Sequence, residues 1–281
     1  MLRVKKYCGS DLSGYRTLNT AENFAEIKTP HDAIEAFDLA EKKKLSPFVL
    51  GAGSNVFFKN SYIKSFVLRN KIPKEIKDLG EDRFEVSSSV TMMELLKYMY
   101  AQSRDCCYYL ASAPCQVGGA IAMNAGSGKL ENKTISDYII SVSYVDGTRG
   151  ILSRNKSELN FSYRQSLFSE KRDSFILSAV FIFPKREFTE DPISARLNWA
   201  RGNQDLSAPN CGSLCNIYNA RIMSFTRALF KYMPAGLSKK KLNWAYNKAK
   251  NPLALRMCLG TLTILHRIFR KEIKYEVKII K

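Results

Sequence analysis

The spacing of apolar residues predicts helices and short strands along most of the chain. Residues 29–32, with the sequence TPHD, form a helix start: threonine serves as N-cap, proline occupies the first turn and aspartate lies at the positive helix end. Apolar residues at helical spacing follow until the charged run EKKK at 41–44. Met92 to Tyr100 has the same spacing, with Leu95, Leu96 and Met99 on its predicted buried side. Two more helices are predicted, over residues 220–232 and 252–269.

Between these helices, short apolar or alternating runs predict strands. They are Pro47–Leu50, Ile63–Leu68, Phe84–Val86, Tyr138–Val145, Phe175–Phe183 and Tyr275–Ile280. A charged segment with a proline, residues 184–186, follows the fifth strand and predicts the main domain boundary. The polar residues 191–205 after it are expected to form a linker.

Two loops rich in small residues carry the strongest functional signal. They are LGAGSNV at 50–56 and ASAPCQVGGAIAMNAGSG at 111–128. Glycine pairs such as Gly118-Gly119 leave backbone N–H groups free to converge on an anion, most often a phosphate. Tight turns without a ligand are the alternative. The GxGxxG pattern of a Rossmann turn is absent from both loops, so a bound flavin or nucleotide would be held by another fold.

The formal charge of +18, from 44 basic and 26 acidic residues, indicates attraction to polyanions, acidic substrates or an anionic membrane surface. The basic residues are scattered and no nucleic-acid motif accompanies them, so nucleic-acid binding is not expected. We expect an anionic small-molecule substrate instead, and a peripheral membrane contact stays open.

The cysteines and the absence of apolar segments indicate a cytoplasmic protein. Seven cysteines have neither a disulfide framework nor zinc-ligand spacing, so we expect reduced thiols and no metal site. Residues 1–15 lack the apolar core of a signal peptide. No run reaches the roughly 18 apolar residues of a membrane helix. We expect a monomer without a transmembrane segment.

Six motifs, taken in order, resemble the UDP-N-acetylenolpyruvoylglucosamine reductases, also called UDP-N-acetylmuramate dehydrogenases. The motifs are Asn19-Thr20, LGAGSNVFF at 50–58, APCQVGGAIAMNAGSG at 113–128, YRQS at 163–166, APNCGS at 208–213 and YEVKII at 275–280. The resemblance covers about residues 15–215 and is thin afterwards. These enzymes are flavoproteins of peptidoglycan precursor synthesis, a step of cell-wall biogenesis.

The resemblance implies an α+β fold class, with an FAD-binding domain of the vanillyl-alcohol-oxidase (PCMH) type in two subdomains. It places them at residues 1–70 and 71–184, and a small α+β C-terminal substrate domain at 185–281. It also implies FAD as the cofactor. The implied FAD-binding residues are Gly51, Ala52, Gly53, Ser54, Asn55, Val56, Ser112, Ala113, Pro114, Gly118, Gly119, Ala120, Asn124 and Gly126.

The family reaction implies three catalytic residues and NADPH as the hydride source. NADPH reduces the flavin, which then reduces the enolpyruvyl group of a UDP-sugar to give UDP-N-acetylmuramate. Arg164 would hold charge that develops at the substrate carboxylate, Glu276 would polarise the same group, and Ser213 would deliver a proton. The alternatives are a structural salt bridge for Arg164, a helix cap for Ser213 and a solvated strand position for Glu276.

The C-terminal part departs from the family pattern. The family's catalytic serine precedes a phenylalanine-lysine-asparagine-proline run, whereas Ser213 precedes Leu214-Cys215-Asn216-Ile217. The family's later segment with a serine and a histidine has no counterpart here. Three hypotheses follow: a reductase of this family, with basic loops replacing the lost phosphate contacts, an FAD-dependent paralogue acting on another sugar-linked substrate in surface-polysaccharide synthesis, or a non-catalytic flavin-binding module.

Overall fold

The computed structural model describes residues 2–128 and 132–280, and its fold is α+β. The α-helices of these residues are α1 (Pro30–Lys42), α2 (Met92–Ala101), α3 (Val117–Ala122), α4 (Leu167–Glu170), α5 (Pro192–Asn203), α6 (Ala220–Leu229) and α7 (Leu253–Ile268). The strands are β1 (Lys5–Gly9), β2 (Asn19–Ile27), β3 (Pro47–Leu50), β4 (Val56–Phe58), β5 (Tyr62–Ile63), β6 (Phe66–Asn70), β7 (Ile76–Gly80), β8 (Arg83–Ser87), β9 (Ile139–Asp146), β10 (Ile151–Asn155), β11 (Ser174–Ile182), β12 (Asn210–Ser213), β13 (Cys215–Ile217), β14 (Ala235–Leu237), β15 (Trp244–Asn247), β16 (Lys274–Tyr275) and β17 (Lys278–Ile280). Among the described residues, no helix is both long enough and apolar enough to cross a membrane.

Reciprocal capping fixes the starts of the first two helices. The Thr29 hydroxyl accepts a hydrogen bond from the Asp32 backbone N–H at 3.1 Å, and the Asp32 carboxylate accepts one from the Thr29 backbone N–H. Thr91 and Glu94 form the same box at the start of α2. Each box satisfies two backbone N–H groups that would otherwise lack partners. The predicted start of α1 is therefore confirmed, as is the buried side of α2.

The chain divides into two compact units, each assembled from separate stretches of sequence. The first, unit 1, contains residues 1–5, 23–51 and 65–198. Its parallel pairing joins residues 24–27 of β2 to β6, and β6 to β3. Its antiparallel sheet has the order β10-β9-β11-β8-β7. Apolar side chains of α1 form one core with β6, β9 and β11, and a second core surrounds α2 and α3.

The second, unit 2, contains residues 6–22, 52–64 and 199–281. Its strands pair in the order β12-β15-β14, with β13 against β16 and β17 parallel to β4. The core combines both helices α6 and α7 with residues from early in the chain, among them Tyr15 and Phe57, whose rings meet edge to face. Residues from the beginning and from the end of the chain therefore pack in one core.

Three elements differ from the sequence expectations. The strand expected over 63–68 is two strands, β5 and β6. The expected linker at 191–205 holds helix α5, whose apolar residues lack a clear stripe. The expected terminal strand is broken at Glu276 and Val277, because both of their N–H groups donate to Leu214 O. The two units do not follow the division at residues 70 and 184, which stays a prediction.

The cap of α2 predicts a pH effect on stability. Hydrogen bonds from Lys74 Nζ and from the Thr91 backbone N–H lower the pKa of Glu94 to about 2. A carboxylate with a depressed pKa in the folded state stabilises the fold above its ordinary value of 4.5, and this contribution is lost as the pH falls towards 2. We therefore expect Glu94→Gln to lower the melting temperature at pH 6, with the difference from wild type shrinking towards pH 2.

Thermal unfolding followed by circular dichroism measures this difference. Glu75→Gln changes a neighbouring exposed glutamate and serves as the matched control. If the melting temperature of Glu94→Gln stayed below that of wild type by the same amount from pH 6 to pH 2, the lowered pKa of Glu94 would be contradicted.

Candidate functional site

The small-residue stretch 111–128 is held in unit 1 by a very close contact. The backbone N–H groups of Val117 and Gly118 donate to the carbonyl oxygens of Val90 and Ser88, both at 2.8 Å. A Cβ atom added to Gly118 would lie 2.9 Å from Ser88 Cβ, closer than real Cβ atoms approach. The expectation that both N–H groups of the glycine pair are free for an anion is therefore wrong for Gly118. Its glycine is required for packing.

Gly119, the next residue in α3, lies beside open space. A Cβ atom added to Gly119 would meet no atom within 4 Å. Gln116 Oε1 is buried and has no hydrogen-bond partner among the described residues. A Cβ atom added to Gly51 would lie 3.1 Å from this same oxygen. An open glycine beside a buried acceptor without a donor fits a bound polar cofactor, since buried polar atoms are otherwise paired.

Gln116 was missed by the sequence analysis. The signal available for it was its place as the one amide side chain in the run APCQVGGAIA at 113–122. The other implied residues nearby are half-buried or exposed, as for Ser112, Ala113 and Pro114, or buried, as for Ala120.

The YRQS motif packs on the end of α3 and the loop that follows it. Asn124 Nδ2 donates to Ser162 O at 2.9 Å, and Arg164 Nη2 donates to Gly126 O at 3.0 Å. The Ser166 hydroxyl donates to Ala122 O at 2.8 Å. Arg164 is half-buried and has a positive φ of 57°, a conformation that non-glycine residues seldom adopt. Two motifs distant in sequence are thus joined in unit 1.

Gly126 is also constrained by its surroundings. A Cβ atom added there would lie 2.3 Å from Lys133 O, so only glycine fits beside this backbone. Asn124, with φ of 43°, is buried and uses its side-chain oxygen to accept from the Ser136 backbone N–H. Both residues therefore have a structural reason to be present in this loop.

The first loop reaches unit 2 through residues 52–56. Gly53 has a φ of +70°, and a Cβ atom there would lie 2.5 Å from Leu12 O. Val56 O accepts from the Ser13 hydroxyl at 2.6 Å. Ala52 is exposed and Ser54 half-buried, which leaves both accessible to a ligand.

Asn55 joins this loop to the C-terminal strand. Asn55 Nδ2 donates to Glu276 O at 3.1 Å, and the Lys278 backbone N–H donates to Asn55 O at 3.0 Å. The parallel pairing of β4 with β17 continues this contact. Both motifs were recognised in the sequence, but their pairing was not predicted.

Ser213 and Glu276 also lie close together in unit 2. Ser213 ends β12, and its neighbour Leu214 accepts a hydrogen bond from the Glu276 backbone N–H at 2.9 Å. Ser213 does not cap a helix, because Asn219 is the N-cap of α6. Burial, with a smaller effect from the negative charge of Glu276, raises the pKa of the Cys215 thiol to about 12. Glu276 is half-buried rather than fully solvated.

The turn around Ser213 is fixed by one amide side chain. Asn243 Oδ1 accepts from the Cys215 backbone N–H at 2.9 Å, and Asn243 Nδ2 donates to Cys215 O at 2.7 Å. Gly212 precedes Ser213 with a φ of +73°. Asn216 Oδ1 is buried and lacks a hydrogen-bond partner among the described residues, which makes it a second polar group that the sequence analysis missed. The structure therefore groups Ser213, Glu276 and Asn55 in unit 2, and Arg164 with the loop at 111–128 in unit 1.

Comparison with known proteins gives a consistent picture. Residues 21–154 match the family model described as an FAD binding domain. The UDP-N-acetylenolpyruvoylglucosamine reductase of Chlamydia felis is 31% identical over 176 residues, which cover 63% of this chain and 58% of that one. The enzyme of the same name from Aquifex aeolicus is 29% identical over 215 residues, or 76% and 71% of the two chains. The chain spans less than two thirds of the length of the Chlamydia relatives it matches.

The fold is shared with a solved structure over its whole length. The UDP-N-acetylenolpyruvylglucosamine reductase from Thermus caldophilus superimposes with a TM-score of 0.76, covers 100% of both chains and is 18% identical. The predicted fold class is therefore confirmed. Residues 21–154 thus match the FAD-binding family model, and the chain is a homologue of proteins named UDP-N-acetylenolpyruvoylglucosamine reductase.

Proposed function

We propose that this protein is an FAD-dependent reductase that uses NADPH to reduce the enolpyruvyl group of UDP-N-acetylglucosamine enolpyruvate. The product would be UDP-N-acetylmuramate, a peptidoglycan precursor. The relatives that match the chain carry the name of this reductase. The observation that supports the proposal most is the hydrogen bond from the Glu276 backbone N–H to Leu214 O, which brings the backbone of Glu276 close to that of Ser213 in unit 2.

The FAD would be held by backbone and small side chains of the two glycine-rich loops. Gln116 Oε1 is available as an acceptor, and the open side of Gly119 supplies space. The remaining binding residues are those implied by the family motifs, from Gly51 to Val56 and from Ser112 to Gly126. A bound flavin would supply a ring system that takes a hydride from the nicotinamide and delivers it to carbon.

Each proposed catalytic residue has a separate task. The Arg164 guanidinium is permanently charged and planar, which suits it to hold the substrate carboxylate while negative charge develops there. Glu276 would polarise the same group. Ser213 Oγ would give its proton to the substrate carbon, a task that requires a strongly preorganised site because serine is a weak acid in water.

A paralogue with the same flavin chemistry but another sugar-linked substrate is the second candidate. It is favoured by the missing lysine after Ser213. The nearby lysines have other contacts: Lys240 Nζ donates to Arg201 O at 2.9 Å, and Lys241 lies over the Trp199 ring.

Product analysis distinguishes the two candidates. With NADPH and the enolpyruvyl substrate, we expect NADPH oxidation and a product that has gained two hydrogen atoms by mass spectrometry. NADPH oxidation without that product would favour the paralogue.

The contrast between adjacent glycines tests the FAD site. Gly119→Leu should leave the melting temperature of the flavin-free protein unchanged, since the added side chain enters open space, but should abolish FAD binding. Gly118→Ala should destabilise the protein by about 1–3 kcal/mol through overpacking against Ser88. Thermal unfolding and the visible flavin absorbance report both effects. Full flavin occupancy in Gly119→Leu would refute the proposed binding side.

Single-turnover kinetics test the role of Ser213. Ser213→Ala should leave flavin reduction by NADPH within about twofold of wild type but slow reoxidation by substrate roughly 10²–10⁴-fold, the usual loss for a missing proton donor. Ser224→Ala, on α6, is the matched control and should change neither half-reaction. Equal slowing of both half-reactions in Ser213→Ala would show that the residue does not act as the proton donor.

A further inference from the structure

The positive charge of the chain is concentrated in its C-terminal part. Residues 206–271 contain twelve basic residues and no acidic residue. The basic residues are Arg221, Arg227, Lys231, Lys239, Lys240, Lys241, Lys248, Lys250, Arg256, Arg267, Arg270 and Lys271. All of them belong to unit 2.

Helix α7 presents apolar side chains to solvent in this basic region. Leu253, Met257, Ile264 and Ile268 follow one another at spacings of four, seven and four residues, which places them along one side of the helix. Their exposed fractions are 50%, 49%, 59% and 64%. We call these four residues, together with the adjoining Phe269 at 60%, the outer face of α7.

Helix α7 also has a second apolar side, which packs in the core. Leu255, Leu259 and Leu262 point into the core of unit 2 and are almost fully buried. A surface helix ordinarily has polar residues opposite its buried stripe. On α7 the solvent side is apolar and is flanked by the exposed cations Arg256, Arg267 and Arg270.

We propose that the outer face of α7 binds the surface of an anionic lipid bilayer. Apolar side chains flanked by arginine and lysine, with no acidic residue in the segment, match a surface that offers both acyl chains and negative headgroups. The helix would lie at the headgroup level and would not span the bilayer. The binding site for the flavin and that for the bilayer would then occupy different parts of the chain.

The combination of charge and apolar exposure favours a bilayer over other anionic partners. A nucleic acid or a nucleotide-sugar would be attracted by the charge, but neither would cover four aliphatic side chains on a helix. A second copy of the chain would cover the apolar residues, but it would bring its own positive charge to the contact. An anionic bilayer satisfies both features.

Vesicle sedimentation of the full-length protein tests the proposal. One vesicle population contains phosphatidylcholine alone, and the other contains phosphatidylcholine mixed with phosphatidylglycerol. We expect sedimentation with the mixed vesicles and little with the neutral ones, and weaker binding as the salt concentration rises. Absence of binding to the mixed vesicles would overturn the proposal.

Matched variants separate the bilayer from other partners. Ile264→Gln should weaken vesicle binding roughly tenfold through lost apolar burial, whereas Ile151→Gln in β10, with a similar exposed fraction, should not change it. Arg267→Gln should weaken binding about fivefold, whereas Lys156→Gln removes the same charge from unit 1 and should have little effect.

Two outcomes would contradict the assignment to α7. If Arg267→Gln and Lys156→Gln lost vesicle binding equally and Ile264→Gln lost none, the attraction would come from net charge alone. A dimer detected by light scattering that dissociates in Ile264→Gln would assign the outer face to a second copy of the chain. Thermal unfolding of each variant verifies that these exposed substitutions leave the fold intact.

Discussion

The close packing of Gly118 against Ser88 is the contact on which the proposed flavin site depends. Two backbone hydrogen bonds, from Val117 to Val90 O and from Gly118 to Ser88 O, fix the start of α3 on the segment before α2. Any side chain at residue 118 would separate them. With α3 fixed, Ala122 O and Gly126 O are placed to accept hydrogen bonds from Ser166 and Arg164. One glycine therefore supports both the cofactor loop and the position of a proposed catalytic arginine.

Local signals allowed much of the fold to be predicted. Thr29 caps α1 through Asp32, three residues away, so the sequence alone locates this start. Helix α2 was predicted from its apolar spacing, and its Thr91 cap was not. Helix α5 was missed because its stability depends on tertiary burial of a few residues, such as Ile193 and Ala200, rather than on a periodic stripe. The break in the terminal strand was missed because it depends on Leu214 O, a group more than sixty residues away in sequence.

The candidate site was predictable as a set of motifs but not as a geometry. The sequence placed Asn55, Ser213 and Glu276 in three separate motifs. In the structure, Asn55 Nδ2 donates to Glu276 O, and the Glu276 backbone N–H donates to Leu214 O, next to Ser213. The role of Gly118 was predicted as anion binding, but its N–H is already used by Ser88 O. Gln116 was not predicted, because the absence of a hydrogen-bond partner is visible only in three dimensions.

The basic segment lies outside the residues that match the FAD-binding family model. The FAD-binding family model matches residues 21–154, and the uninterrupted basic segment begins after residue 205. The proposed Ser213 and Glu276 pair lies in the same unit as the basic segment. The proposed reduction and the proposed bilayer contact thus use different elements of unit 2. Ser213 ends β12 and Glu276 lies between β16 and β17, whereas the bilayer contact lies on α7.

The visible spectrum under anaerobic conditions tests the central claim most directly. We predict a flavin spectrum in the purified protein, or after incubation with FAD, that bleaches on addition of NADPH and recovers when UDP-N-acetylglucosamine enolpyruvate is added. Failure to bind FAD would contradict the assignment of the loops at 50–56 and 111–128. Bleaching by NADPH without recovery on the enolpyruvyl substrate would contradict the proposed reaction.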